Sequence, residues 1–273
     1  MCMSNDITKI TNHDTNNIKY KIFDPTKNIT ILVESDVDLK DQPAIAKALM
    51  EMHPNVEQVG FVSYDENKNI KLRMAGGEFC GNATMCAGVY AVISDETYKI
   101  KFTNFTKTIY VDALKKYIKV EVKYIDDNKF VGTVNMPRAK EIKNITFPDG
   151  EIYDVVYLQG ISHIIIDTTD INFKNYFENK IKSYCDFLNV ESLGIIFYDK
   201  NRNSITPLVY VKNADTLYWE NSCASGSIAV YEYLKIKNAE LSTYNIYQPC
   251  NEYLRVFEKN NELYLSGEVM ILK

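Results

Sequence analysis

Apolar residues fall in short β-branched or aromatic runs separated by polar clusters. Ile29–Val33, Gly60–Tyr64, Ile164–Ile166 and Ile195–Tyr198 have the length and composition of strands. Asp65 to Asn69 and Asp199 to Asn203 are polar clusters of the kind that close hairpins. Two stretches space their apolar residues as helices do. One is Gln42 to Met52, with Pro43 suited to a first helical turn; the other is about Tyr176 to Leu188. Cys80 and Cys223 each open a segment that starts small and polar and turns apolar. The apolar parts carry Met85, Val89 and Tyr90 in one, and Ile228, Val230, Tyr231 and Leu234 in the other. That order predicts a loop entering the N-terminus of a buried helix.

These elements occur twice in the same order. Residues 55–69 (NVEQVGFVSYDENKN) and 189–203 (NVESLGIIFYDKNRN) agree at eight of fifteen positions. At the same offset NITILV, from Asn28 to Val33, pairs with SHIIID, from Ser162 to Asp167. Further on, Phe79 to Ala91 pairs with Ser222 to Leu234, after about nine extra residues in the second copy. These extra residues are expected to form a longer loop near Asn213 to Trp219. The repeat predicts an α+β protein of two pseudo-symmetric halves. A polar tail (1–17) precedes an N-terminal half (18–134) with Cys80 and a C-terminal half (135–273) with Cys223, whose final strand is free to cross back to the first half.

Composition narrows the function. Apolar residues make up 46% and charged residues 25%, which is globular rather than disordered. The formal charge is −5 and no Lys/Arg cluster stands out, so phosphate-backbone binding to nucleic acid is not expected. No apolar run reaches the ~18–20 residues of a membrane span. The start of the chain lacks the apolar core of a secretory signal, so the expected setting is the cytoplasm. The six cysteines are then expected as thiols. With three histidines and no CxxC, a metal site is not expected either.

The two repeated cysteines carry the chemistry. A thiol at a helix N-terminus meets unpaired backbone N–H groups and the positive end of the helix dipole, which is expected to lower its pKa below ~8.5. The same amides favour a carboxylate. If both helix starts face one cleft, a substrate carboxylate sits between them with a sulfur on each side of the adjacent carbon. One thiolate removes a proton and the opposite thiol delivers another, inverting the centre. Cys86 has Ala229 as its repeat partner, and Cys2, Cys185 and Cys250 have no cysteine partner, so these four are assigned no chemistry.

At these residues the chain resembles the diaminopimelate epimerase superfamily, which includes proline racemases and phenazine-pathway isomerases. The resemblance rests on Cys80-Gly81-Asn82-Ala83 and Cys223-Ala224-Ser225-Gly226 and covers nearly everything after the first 17 residues. It implies a sheet wrapped around a central helix in each half, with the active site between the halves. It also implies a cofactor-independent racemase or epimerase using Cys80 and Cys223 as an opposed acid/base pair, in a monomer or homodimer. The α-carboxylate would be held at Gly81, Asn82, Ala224 and Ser225, with Asn28 nearby. Glu220 matches the acid that receives the substrate ammonium, and Glu57 falls where the phenazine isomerases carry a catalytic Glu.

Departures bear on the substrate. Glu220 is followed by Asn221 instead of an Arg, and Gly160-Ile161-Ser162-His163 replaces a G-N-P-H stretch. Gly194 stands where an Asn is expected, and another expected Asn falls near Met74 or Ala75. A second zwitterionic head group would lose partners at about 1–3 kcal/mol each, which disfavours diaminopimelate. The segments NITILV, EQVGF, EFCGNATM and WENSC are similar to the histidine racemases of opine-metallophore biosynthesis, which implies histidine. Diaminopimelate, lanthionine or another free amino acid is the alternative. His163 is expected to be a core histidine. Trp219 is expected in the core, with the side-chain pocket as its other possible place.

Overall fold

The computed structural model describes residues 17–95, 103–167 and 174–273. Nearly all of the polar tail, including Cys2, lies outside them. The first half runs β1 (Tyr20–Pro25), β2 (Thr30–Val33), α1 (Gln42–Met52), β3 (Gln58–Tyr64), β4 (Ile70–Met74), α2 (Gly81–Ile93), β5 (Asn104–Val111), β6 (Lys116–Asp126) and β7 (Lys129–Met136). Then come β8 (Glu141–Thr146), β9 (Ile152–Tyr157), β10 (Ser162–Asp167), α3 (Lys174–Leu188), β11 (Ser192–Asp199), β12 (Ser204–Val211), β13 (Thr216–Trp219), α4 (Ala224–Lys237), β14 (Thr243–Tyr247), β15 (Tyr253–Lys259) and β16 (Glu262–Ile271). Among the described residues no helix is long and apolar enough to cross a membrane.

The sequence repeat is a repeat of topology. β2 and β3 pair in parallel across α1, and β3 turns into antiparallel β4 through Asp65 to Asn69. β10 and β11 pair in parallel across α3, and β11 turns into antiparallel β12 through Asp199 to Asn203. β2 and nearly all of β11 are buried, which is why both read as unbroken apolar runs. The outer helices cover one face: Ile45 and Leu49 of α1 pack on Ile31, Val33 and Val59, while Phe177 and Ile181 of α3 pack on Ile164, Leu193 and Ile195.

Closure distinguishes the halves. β16 pairs with β7 and also, at its far end, with β1, where Phe23 faces Ile271. Strands β1 to β7 and β16 therefore form a closed eight-stranded barrel. The remaining strands continue from β16 in the order β15, β14, β12, β11, β10, β9, β8 without closing. The expected longer loop after β12 is instead a one-turn 3-10 helix, Lys212–Ala214, followed by β13, which pairs antiparallel with β12. The Thr216–Trp219 segment finds ladder partners in Leu208 to Val211, so its backbone is satisfied as a strand.

α2 runs through the barrel and is buried along almost its whole length. The interior of an eight-stranded barrel is about as wide as the side chains that fill it, so a helix fits only where wall and helix residues are small. Gly132 and Gly267 lie directly opposite each other on β7 and β16. A Cβ on Gly132 would stand 2.8 Å from Met85 Cβ of α2, whereas one on Gly267 would first meet Leu254 Cδ2 of β15, at 2.6 Å, and lie 3.4 Å from Met85 Cε. Gly88 of α2 touches β6, where a Cβ would stand 2.4 Å from Val120 Cγ1. Alanine favours a helix interior over glycine by about 1 kcal/mol. Gly88→Ala is nevertheless expected to destabilise the protein by about 1–3 kcal/mol through overpacking. Urea unfolding checks this, and a variant at least as stable as the parent would contradict the packing account.

Candidate active site

Cys80 and Cys223 are the N-cap residues of α2 and α4, with nearly the same extended backbone, φ −128° and ψ 116° against φ −130° and ψ 107°. Each sulfur accepts a backbone N–H three residues on, from Ala83 at 3.4 Å and from Gly226 at 3.3 Å. A hydroxyl four residues on donates to each cysteine carbonyl, Thr84 at 2.7 Å and Ser227 at 2.8 Å. The two helix starts abut. A Cβ on Gly81 would lie 2.9 Å from Ala224 Cβ, and Asn82 Nδ2 donates to the Ser222 carbonyl at 3.2 Å. Each helix start carries about half a positive charge. Two of them facing each other repel, and their first N–H groups lack intrahelical acceptors. A carboxylate placed there relieves both costs.

One cavity of about 760 Å³ is lined by both cysteines and by Asn28, Glu57, Gly81, Asn82, Glu220, Ala224 and Ser225. All the residues assigned to catalysis or substrate binding from the sequence thus line one space. Gly81 is small because the Ala224 methyl occupies the room its own side chain would need.

Five carboxylates line this cavity, and burial raises the pKa of three of them, Glu57, Glu78 and Glu220. Glu220 is pushed up to about 8 by burial and is hydrogen-bonded to the Cys223 thiol. Glu57 ties the halves together. It accepts Asn28 Nδ2 at 2.6 Å and, from the other half, the Asn221 backbone N–H at 3.2 Å and its side-chain amide. Asn221 stands where an Arg was expected, and it is used to hold Glu57. Asn28 is engaged on both sides, since its Oδ1 accepts from Gln58; it positions Glu57 and Gln58. Glu78 is the third carboxylate, two residues before Cys80.

The expectation of depressed thiol pKa values is overturned. Burial pushes the Cys80 thiol up to about 12, with Glu220 and Glu78 adding to the rise. Cys223 is raised well above the usual thiol range by burial and by neighbouring Glu220. The helix-start amides act in the expected direction, as do the Gln58 side chain on Cys80 and Ser225 on Cys223, but they do not outweigh desolvation.

His163 is fully buried, and desolvation lowers its pKa to about 3, so it is neutral. Its Nε2 lies 2.9 Å from Ser225 Oγ, while Nδ1 has no partner among the described residues. The ring explains Gly194, where a Cβ would fall 2.1 Å from Nδ1. Trp219 packs on Phe197 and donates to Glu178 instead of lining the cavity. Cys86 is buried, and Cys185 donates to the Val190 carbonyl at 3.0 Å. Sequence reasoning missed Gln58, Glu78, Asn221 and Gln248. Gln248 accepts the Cys223 N–H at 2.9 Å. Gln58 and Asn221 each neighbour a selected glutamate, and Glu78 lies beside the Cys80 motif, but Gln248 carries no local signal. Among the described residues no group of His, Cys, Asp or Glu is arranged to hold a metal ion.

The family profile of the histidine racemase CntK N-terminal domain matches residues 17–272. A histidine racemase of Fusobacterium nucleatum is 34% identical over 261 residues, spanning 92% of this chain and 92% of that protein. One from Staphylococcus aureus is 26% identical over 261 residues, spanning 90% of each. In fold, the chain is similar to a hydroxyproline epimerase from Agrobacterium vitis, solved with bound trans-4-hydroxy-L-proline. The TM-score is 0.68 at 11% identity, covering 94% of this chain and 91% of that one. A probable proline racemase from Agrobacterium radiobacter also gives 0.68, at 12% identity, covering 93% and 91%.

The raised pKa of Glu220 ties stability to pH. In the unfolded chain it ionises near its ordinary 4.5, and in the folded protein near 8. The folded state therefore holds the extra proton between these values, and the stability present below 4.5 is lost as pH rises through 8. Glu220→Gln removes that loss. Its Tm relative to the parent is expected to rise by a few degrees between pH 5 and pH 9 in thermal melts. A difference that does not change with pH would contradict the assignment.

Proposed function

This chain belongs to the family of the histidine racemase CntK N-terminal domain, and on that premise we propose that it interconverts L- and D-histidine without a cofactor, using Cys80 and Cys223 as opposed acid and base. The observation that carries the proposal is the abutment of two cysteine-capped helix starts at one cavity. The substrate carboxylate lies against the N–H groups of Gly81, Asn82, Ala224 and Ser225. That places Cα between the sulfurs. Glu220 receives the ammonium and lies beside Cys223.

At rest both thiols are protonated, because burial disfavours the thiolate. The ammonium brings a positive charge beside them and favours ionisation. The same charge favours the carboxylate form of Glu220, which sheds its proton to solvent as the ammonium binds; one sulfur then gives its proton to that carboxylate, and as thiolate it takes the proton from Cα. The carbon–hydrogen electron pair moves into the carboxylate, whose growing charge is met by amides already aimed at it. The opposite thiol then delivers its own proton to the other face and becomes the thiolate. The sulfurs exchange roles, and the reverse reaction uses the same parts.

Histidine is favoured over diaminopimelate by what surrounds the cavity. Asn221 is spent on Glu57, and the His163 ring crowds position 194, so a second zwitterionic head group lacks its partners. With L-histidine, chiral chromatography is expected to reveal the D enantiomer approaching an equal mixture. Cys80→Ser and Cys223→Ser are each expected to lower kcat by about 10²-fold or more. Full activity in either variant, or turnover of diaminopimelate in place of histidine, would refute the proposal.

A further inference from the structure

Cys223 is held by more than its own helix. Gln248, in the turn between β14 and β15, is 25 positions away in the chain, and its Oε1 accepts the Cys223 N–H at 2.9 Å. Its Nε2 donates to Ser227 Oγ at 3.0 Å and to the Ile246 carbonyl at 2.9 Å. Ser227 Oγ in turn donates to the Cys223 carbonyl at 2.8 Å. One amide thus fixes both backbone groups of Cys223, the N–H directly and the C=O through a hydroxyl. The amide has a single orientation, because a flip would set its oxygen against the Ile246 carbonyl and its nitrogen against the Cys223 N–H. Gln248 is itself pinned: its N–H donates to the Glu252 carbonyl at 2.8 Å, and its carbonyl accepts from Asn251 at 2.9 Å. It is buried and does not line the cavity. The first half is built differently. Cys80 has the hydroxyl on its carbonyl, from Thr84. The corresponding hairpin, β5 to β6, turns through Asp112, whose carboxylate is bound to Arg73 at 2.6 Å and Lys115 at 2.7 Å. A cysteine-capped helix start therefore forms in this fold without an amide clamp, and packing alone does not call for one at Cys223.

We propose that Gln248 is a positioning residue that holds the Cys223 sulfur in line with the substrate Cα and makes the two acid/base groups unequal. The proposal rests on the two-thiol racemase reading and deepens it. With the N–H and C=O of Cys223 both fixed, the sulfur is left with rotation about Cα–Cβ, and the Gly226 N–H meets it there at 3.3 Å. A reacting group displaced by about 1 Å costs on the order of 10²-fold in rate. Loss of the clamp slows whichever proton transfer uses Cys223. That transfer is abstraction from one enantiomer and delivery to the other.

The test uses L- and D-histidine, each with protium or deuterium at Cα, and Gln248→Met, which keeps the length of the side chain and removes the amide. The variant is expected to lose kcat at least about tenfold in both directions, with KM little changed. Its α-deuterium isotope effect on kcat/KM is expected to rise for the enantiomer deprotonated by Cys223, where bond cleavage becomes limiting. It is expected to fall for the other enantiomer, where delivery by Cys223 becomes limiting. Ser227→Ala removes the second arm of the clamp at a position where alanine suits the helix. It is expected to split the two isotope effects in the same sense and decides the matter if the methionine variant does not fold. Isotope effects that stay at the parent values, or change alike for both enantiomers, would make Gln248 a structural anchor and overturn the proposal while leaving histidine racemisation in place. A parent enzyme inactive on histidine would overturn the functional assignment itself, and this proposal with it.

Discussion

The close approach of two helix N-termini is the constraint on which the rest depends. Like ends of two helix dipoles repel, yet α2 and α4 meet with Gly81 against the Ala224 methyl. The contact is held by their surroundings. α2 is threaded through a closed barrel and α4 packs against the open part of the same sheet, so neither can withdraw without disrupting its own core. Two local devices add to this: Asn82 reaches the Ser222 carbonyl, and Glu57 takes the Asn221 backbone and side chain. The result is a fixed concentration of unbonded N–H groups with a thiol on each flank.

Burial gives this arrangement its chemical character. Removing the thiols and three carboxylates from water raises all their pKa values, and so the resting site stores protons. A free thiolate would be a stronger base but would also be exposed to oxidation and to other electrophiles. On the proposed reading the site ionises only when a zwitterion enters, which joins reactivity to occupancy. The neutral His163 behind Ser225 fits the same pattern, because a charged imidazole there would be costly to bury.

Much of this was legible in the sequence because the signals were local or duplicated. The bounds of α1 follow from the apolar spacing and Pro43. The caps at Cys80 and Cys223 follow from the change of small polar residues into apolar ones, and the duplication singles out these two thiols among six. Other features depend on contacts between residues far apart in the chain. Barrel closure joins Phe23 to Ile271, and the Glu57 clasp joins residues 164 positions apart. The sign of the thiol shift could not be read from helix position, because it is decided by how deeply the whole fold buries the sulfur. β13 was hidden because TLYW is short, and its strand character comes from its partner in β12.

The central claim is that different sulfurs act on the two faces of one carbon, and the fate of the α-hydrogen tests it most directly. L-Histidine is incubated with the protein in D2O, the reaction is stopped after a small fraction has converted, and each enantiomer is analysed for deuterium at Cα. With two bases, newly formed D-histidine carries solvent deuterium, while the recovered L-histidine keeps its original hydrogen. D-Histidine that retains the original hydrogen would mean that a single group moves the proton between faces, and would contradict the account.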